Sequence, residues 1–284
     1  MGNFWHAVNR APRHGFRFKN KLYALDASLI ELCLEVFPWA RYRTTKGAIK
    51  LHVGLDHSGH LPAFVAVTEG KTHEITWART LELPASSMVV FDRGFTDYAW
   101  YHQLHEKRIS FVTRQKTNAR YTVTERRSAA GQPELTSDQT IRLTGVKAQH
   151  CPIALRRIGY RDPDTGKHYV FLTNNFRLAA RTIAEIYKQR WQIELFFKWI
   201  KQNLKIKRFL GTSKNAVLTQ LWIALCVYLL LAYLKFISTL GHSLQQSLRL
   251  LQLNLFERRA LLPLLRGDPP DTLRVGNRAQ LALL

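Results

Sequence analysis

The amino-acid sequence predicts an α/β protein: a mixed sheet flanked by helices, with a β-rich insertion and a helical C-terminal region. Two observations predict this class. Short apolar or alternating runs typical of strands fill residues 22–113 and are separated by two helical stretches, in the order β-β-β-α-β-α-β. Strand-like runs without a long helical period follow to residue 175, and from Ala179 to about Leu265 the chain is mostly helical.

The first three strands are predicted at Leu22–Asp26, Ala48–Asp56 and Leu61–Thr68. The second alternates apolar and polar residues, which is typical of a half-buried strand. The polar, glycine-containing segment Asp56–His60 predicts a hairpin turn between the second and third strands. Three histidines surround this hairpin at a spacing that fits no zinc pattern, and we expect them to be solvated. They are His52, His57 and His60.

Two helix–strand units complete the first half of the chain. A helix capped by Thr72 is predicted at about 73–83, and the short apolar strand Met88–Phe91 follows it and ends in Asp92. A second helix, opened by Thr96 and Asp97, is predicted to run to about residue 107, before a strand at 109–113. The first of these helices can serve as the crossover between two parallel strands.

Within the β-rich insertion, strands are predicted at Ile153–Ile158 and Tyr169–Leu172, with a turn at Asp162–Gly166 between them. In the helical region, the unbroken apolar run Leu221–Leu234 is shorter than the roughly 18 to 20 residues that cross a bilayer. We therefore favour a buried helix. A membrane-associated basic protein built around this run is the alternative.

Strong positive charge and isolated cysteines limit the partners and the compartment. The 42 Lys and Arg residues against 20 acidic ones give a net charge of +22, far beyond what solubility requires. Because this charge is spread along the chain, it indicates several surfaces touching one long phosphate backbone; a merely basic surface is the alternative. The basic segments are Arg10–Lys21, Arg41–Lys50, Lys107–Arg127 and Lys198–Arg208.

The three cysteines, at 33, 151 and 226, form no CxxC pair, so they indicate neither a zinc site nor a disulfide framework. They fit a reducing cytoplasm. The first residues contain no apolar run of signal-peptide length, so we do not expect secretion.

Two aspartates are candidates for holding metal ions. Asp26 and Asp92 each follow an apolar run, so each is expected at the exposed tip of a buried strand. If the two strands are parallel neighbours, the carboxylates converge. Such acids can hold divalent ions on either side of a reacting phosphodiester. For either aspartate alone, a helix cap or a turn is the alternative.

A third acid lies in a polar stripe. Tyr187, Arg190, Glu194 and Lys201 are separated by three, four and seven residues, which places them on one face of a helix. Most other residues of this stretch are apolar, so the stripe is unusual in a largely buried helix. A hydroxyl, a guanidinium, a carboxylate and an ammonium on one face suit a site that holds a metal and grips phosphates. An ordinary solvated helix face is the alternative.

These four positions resemble the Y, R, E, K signature of DDE transposases in the insertion-sequence-four family. The segments Phe91–Phe95 (FDRGF) and 22–28 (LYALDAS) resemble the family's motifs for the second and first aspartates. The resemblance runs from about residue 22 to 265. It implies an RNase H-like catalytic domain interrupted by a β-rich insertion, with Asp26, Asp92 and Glu194 as the catalytic, metal-binding triad.

The resemblance further implies two Mg²⁺ ions, for which Mn²⁺ can substitute, and a bacterial cytoplasmic, nucleoid-associated enzyme. The expected reactions are cleavage of transposon ends in double-stranded DNA and strand transfer into target DNA, by a homodimer. Tyr187, Arg190 and Lys201 are then expected to contact DNA. A catalytically silent, N-terminally truncated remnant that only binds DNA is the alternative.

The expected organisation has four parts. Residues 1–20 form a basic arm, the remainder of a truncated end-recognition region. Residues 21–114 and 178–212 form the catalytic domain. Residues 115–177 form the insertion, and residues 213–284 form the helical C-terminal region.

Overall fold

The computed structural model describes residues 15–128, 131–203, 208–238, 241–258 and 260–268. Most of the arm expected at 1–20 lies outside them. Ten strands in this part of the chain form one mixed sheet with the path β2-β3-β1-β5-β6-β10-β9-β8-β7, and β4 pairs with β3. The strands are β1 Leu22–Leu32, β2 Arg41–Arg43, β3 Lys46–Asp56, β4 Leu61–Glu69, β5 Met88–Phe91, β6 Ser110–Arg114, β7 Tyr121–Arg127, β8 Leu135–Leu143, β9 Ala154–Arg161 and β10 His168–Thr173.

Along the chain, α-helices lie between some of the strands and after the last of them, which confirms the predicted α/β class. The α-helices of the described residues are α1 Glu74–Ala78, α2 Tyr98–Glu106, α3 Ala180–Gln189, α4 Trp191–Asn203, α5 Lys214–Ser238, α6 Leu244–Leu253 and α7 Leu261–Arg266. α2 begins as predicted, because the side chain of its N-cap Asp97 accepts a hydrogen bond from the amide of Trp100. α1 is much shorter than the helix predicted at 73–83, and its N-cap, His73, makes no side-chain capping bond.

The centre of the sheet is parallel. β1 pairs with β5 from Leu22↔Met88 to Leu25↔Phe91, and β5 pairs in parallel with β6. The predicted parallel arrangement of the strands before Asp26 and Asp92 is therefore confirmed. On its other edge β1 pairs with β3, antiparallel.

β1 is longer than predicted. Asp26 was expected to end the strand, but β1 continues to Leu32 because its antiparallel ladder with β3 continues to Leu32↔Gly47. The parallel ladder with β5, however, stops at Leu25↔Phe91. Asp26 is thus in mid-strand, one residue beyond the end of its parallel neighbour.

β3 is buried along nearly its whole length, although its alternation predicted one polar face. His52 is fully buried and bonds the hydroxyl of Thr68, while Lys50 forms an ion pair with Glu74 at 2.8 Å. His57 is also buried. The expectation of solvated hairpin histidines is therefore wrong for these two residues, because partners distant in sequence satisfy or cover the polar side chains of this region.

An aromatic cluster fixes the end of β5. Phe91 and Phe95, which flank Asp92, are both fully buried. The Phe91 ring lies 4.8 Å from that of Trp100, and the Tyr101 and Phe111 rings stack at 4.6 Å. Such ring pairs contribute about 0.5–1.5 kcal/mol each beyond their buried area. Anchoring a ring on either side restrains the backbone that carries the Asp92 carboxylate.

The predicted β-rich insertion is confirmed as part of this fold. Its strands β7–β10 form an antiparallel meander that continues the sheet, because β10 pairs with β6. β7 and β8 were not individually predicted. Asp138 and Arg156 form a buried two-bond ion pair between β8 and β9, at 2.9 and 2.6 Å.

The helical region is divided at two positions, one between α3 and α4 and one inside α5. α3 and α4 were expected as one helix but are separated at Arg190, where the bonds Arg190 N to Tyr187 O and Ile193 N to Arg190 O replace the regular ladder. The described residues also form two compact units, which meet in sequence between 225 and 226, inside α5.

By length and composition alone, residues 214–237 of α5 could cross a membrane, which is weak evidence, since core helices of soluble proteins pass the same test. α5 is only partly buried, not fully as expected.

Candidate active site

Asp26 and Asp92 directly follow the last parallel pair of β1 and β5, Leu25↔Phe91. Asp26 Oδ1 accepts a hydrogen bond from the amide of Ala27 at 2.8 Å. Asp92 caps a short 3₁₀ turn, and its Oδ1 accepts from the amide of Gly94 at 2.7 Å. A Cβ at Gly94 would lie 2.8 Å from that oxygen, so a larger residue there would require the Asp92 carboxylate to shift. The two acids therefore lie at the same place on the sheet, as predicted.

Glu194 joins this site through Arg190. Arg190 Nη2 lies 2.5 Å from Glu194 Oε1, one helical turn along the chain, and Nη1 lies 3.5 Å from Asp26 Oδ2. One guanidinium thus connects an acid on α4 with an acid on β1. α4 also packs directly against β1.

The electrostatics of Asp26 reflect this grouping. Burial raises the pKa of its carboxyl from 3.8 to about 6, and the negative charges of Asp92 and Glu194 act in the same direction. The Ala27 amide and the Arg190 guanidinium oppose them and lower the pKa. The charges of Asp92 and Glu194 therefore act on Asp26, which is expected when carboxylates share a site.

Tyr187 and Arg190 form a stack with Phe171, a residue of the insertion. The Phe171 ring of β10 lies 5.0 Å from the Tyr187 ring, and the Arg190 guanidinium lies over Tyr187 at 5.6 Å from its centroid. Phe171 is buried, and burial raises the pKa of Tyr187. The insertion thus supports the arginine that bridges the acids. Sequence reasoning missed Phe171, because a contact between a β10 residue and an α3 residue leaves no local pattern.

Lys201 has a backbone partner. Its Nζ donates a hydrogen bond to the carbonyl of Leu29 at 2.9 Å. β1 extends beyond β5, so this carbonyl lies in the part of β1 that has left its parallel partner. Lys201 thereby attaches α4 to the stretch of β1 that extends beyond β5.

The donor chemistry of the site suits a hard divalent cation, because its three acids offer only carboxylate oxygens. Among the described residues, however, no group of three or more His, Cys, Asp and Glu side chains is close enough to hold a metal ion as it stands. Arg190 supplies positive charge between two of the acids instead.

A family model described as "Transposase DDE domain" matches residues 17–230, which include all three acids and the Tyr187–Lys201 stripe. The chain belongs to the DDE transposase family. The resemblance drawn from the four signature positions and the two aspartate motifs is confirmed.

Curated relatives named as transposases agree. The chain is 33% identical over 235 residues to a putative transposase, y4zB, from Sinorhizobium fredii, covering 81% of this chain and 66% of that protein. It is 32% identical over 228 residues to a probable transposase for insertion sequence element IS5377 from Geobacillus stearothermophilus, covering 80% and 60%. A putative transposase for element IS4SA from Synechocystis is 23% identical over 262 residues, covering 87% and 70%. The chain thus spans 60–66% of the first two relatives.

The fold of this DDE transposase is also similar to a solved structure. A piggyBac transposase synaptic complex with hairpin DNA matches with a TM-score of 0.52 over 89% of this chain and 55% of that one, at 13% identity. This likeness concerns the fold alone, and it confirms the expected RNase H-like type.

Proposed function

We propose that this chain catalyses metal-dependent cleavage of transposon ends and strand transfer into target DNA, with Asp26, Asp92 and Glu194 as its catalytic and metal-binding residues. The observation that carries this proposal is the parallel pairing of β1 and β5, which brings Asp26 beside Asp92. Arg190 then connects Asp26 with Glu194. Membership of the DDE transposase family supports the same reactions.

Asp26, Asp92 and Glu194 would hold two divalent cations, Mg²⁺ or Mn²⁺. Such a pair activates the attacking oxygen and stabilises the leaving oxygen of an in-line displacement at phosphorus. The chain itself supplies restraint. The buried rings beside Asp92 and the Ala27 amide bound to Asp26 keep two of the carboxylates in place.

Both reactions have the same form. In the first, a water oxygen bonds to the phosphorus at the transposon end, and the bond to the 3′ oxygen breaks. In the second, the freed 3′ hydroxyl bonds to a target phosphorus, and a target 3′ oxygen leaves. The bonds broken and formed are equivalent, so one arrangement of acids serves both steps.

Tyr187, Arg190 and Lys201 are proposed to contact DNA near the cut. Arg190 is best placed for this, since a planar guanidinium next to the acids can pair with phosphate oxygens. The stack on Tyr187 would hold it there. The carbonyl of Leu29 would fix Lys201 beside β1.

The charge of +22 supports double-stranded DNA as the partner. We propose that the enzyme works as a homodimer on paired ends, in the bacterial cytoplasm and associated with the nucleoid.

The test is cleavage of a supercoiled plasmid that carries the element's flanking ends, with Mg²⁺ or with EDTA. Wild type is compared with Glu194→Ala and with Glu106→Ala, which removes an exposed acid at the end of α2. We expect cutting at the ends by wild type and Glu106→Ala with Mg²⁺ only, and none by Glu194→Ala. A wild-type protein that binds the plasmid but never cuts it would instead establish the silent, DNA-binding remnant.

A further inference from the structure

A cleft of about 670 Å³ lies between the N-terminal end of α2 and two loops of the insertion. One wall includes Arg79, Thr96 and Asp97. The other is formed by the loops that lead into β7 and out of β8, at residues 116–120 and 144–150. All of these residues belong to the compact unit that ends at residue 225.

The cleft is strongly basic. Its lining includes Arg79, Lys116, Arg120 and Lys147, against the single acid Asp97. Asp97 is already engaged, because its carboxylate pairs with Arg79 at 2.7 Å and caps α2. The other three cations are exposed, and within the described ranges none of them forms a salt bridge.

Three uncompensated cations around one concave surface raise the local positive potential, because low-dielectric walls focus the field. A cleft of this kind attracts an anion. Asn118 and Thr144 line the same space and add side-chain groups that can hydrogen-bond to phosphate oxygens.

One wall of the cleft follows Asp92 closely in sequence. β5 and β6 are parallel, so their carboxyl ends lie at one edge. Asp92 follows β5, and Thr96 reaches back to donate a hydrogen bond to the carbonyl of Arg93 at 2.8 Å. Lys116 comes two residues after the end of β6. Residues that follow the carboxyl ends of β5 and β6 therefore line the cleft.

We propose that this cleft binds the sugar-phosphate backbone of duplex DNA, and that it does so without reading base sequence. The proposal rests on the proposed function, since it takes DNA as the substrate. Long, exposed cations hold phosphates in any sequence, whereas sequence is read by contacts to base edges.

The test measures DNA affinity, not cleavage. The cleft variant carries Lys116→Gln, Arg120→Gln and Lys147→Gln. The matched control carries Lys107→Gln, Arg126→Gln and Lys167→Gln, which removes the same charge from exposed positions outside the cleft lining. Both variants and wild type are titrated with an element-end duplex and with a random-sequence duplex over a range of salt concentrations. Circular dichroism checks that all three proteins are folded.

For wild type, log affinity should fall steeply with log salt concentration. The slope should become shallower by about three in the cleft variant, roughly one per lost phosphate contact, and by less than one in the control. The loss of affinity should be the same for both duplexes.

A cleft variant that keeps the wild-type slope and affinity would overturn the cleft proposal, even where Glu194→Ala abolishes cleavage. Equal losses in the two triple variants would also overturn it, because general charge would then explain the effect. A loss confined to the element-end duplex would overturn the claim of sequence independence. A selective, sequence-independent loss supports the cleft whether or not the protein cuts DNA.

Discussion

Arg190 lies between two carboxylates, with Nη1 3.5 Å from Asp26 and Nη2 2.5 Å from Glu194. Asp26 belongs to the central strand β1, and Glu194 belongs to α4, far along the chain. One side chain therefore ties the helix to the sheet at the site where the acids meet. The fork of the guanidinium makes this possible, because its two terminal nitrogens can engage separate partners.

Replacing Arg190 by lysine should keep the charge but lose this bridge. We expect Arg190→Lys to reduce end cleavage by about 100-fold, the scale of loss that follows a displacement of roughly 1 Å at a reacting centre. Arg181→Lys, at an exposed arginine on α3, is the control and should cut like wild type. Equal cleavage by the two variants would show that the bridge is dispensable.

Asp26 should make the metal-free protein less stable at neutral pH. Its pKa is 3.8 in the ordinary state and about 6 in the fold, so the folded protein binds the proton more tightly. The stability contributed by the protonated acid is complete below pH 3.8 and is lost as the pH rises through about 6. At pH 7, the free energy of unfolding of Asp26→Asn should therefore be roughly 1–3 kcal/mol higher than that of wild type.

The measurement is chemical denaturation in EDTA at several pH values, comparing wild type with Asp26→Asn. The quantity to compare is the difference in the free energy of unfolding between the two proteins at each pH. Burial lowers the pKa of His52 to about 4, which gives both proteins an opposite dependence of stability on pH. That contribution is present above the ordinary value of 6.5 and is lost as the pH falls through about 4. A difference between the two proteins that does not shrink toward pH 4 would contradict the assigned pKa of Asp26.

Phe171 is expected to act as a positioning residue for Tyr187 and Arg190. Phe171→Leu removes the ring that contacts Tyr187 while keeping an apolar side chain. Ile158→Val alters the paired residue on β9, which is fully buried but is not part of the stack. Both changes should cost about 1 kcal/mol of stability.

Only Phe171→Leu should slow the chemical step of cleavage, with little change in the DNA concentration needed for half-maximal rate. Single-turnover kinetics separate the two effects. If both variants lost the same activity, the contribution of Phe171 would be stability alone.

Lys201 should contribute to stability through Leu29. Lys201→Met keeps the length of the side chain but removes the donor from the Leu29 carbonyl, and we expect the free energy of unfolding to fall by about 1 kcal/mol. Lys198→Met, at an exposed position of the same helix, should change it by less than about 0.5 kcal/mol. Thermal denaturation measures both. Indistinguishable unfolding curves would argue against an attachment of α4 by this bond.

Much of the site was predictable because its signals are local. The buried run before Asp92 identified β5, and the spacing of Tyr187, Arg190, Glu194 and Lys201 identified the helical segment. The parallel pairing of the two aspartate strands followed from the helix between them.

The remaining features depend on partners distant in sequence. Asp26 proved to be in mid-strand because β3 pairs with β1 well beyond β5. The break at Arg190 arises from two short-range backbone hydrogen bonds that no residue type predicts. The alternation of β3 predicted that Lys50 and His52 are exposed. Inside the protein they instead form hydrogen bonds with Glu74 and Thr68.

The central claim is that Asp26, Asp92 and Glu194 form one metal site. Its most direct test is Mn²⁺ binding to the protein with element-end DNA, followed by electron paramagnetic resonance. Asp26→Asn, Asp92→Asn and Glu194→Gln are each compared with wild type and with Glu106→Gln. We predict that each of the three variants weakens Mn²⁺ binding by about tenfold or more, while Glu106→Gln leaves it unchanged. Wild-type affinity in any one of the three would contradict the claim that its acid holds the metal.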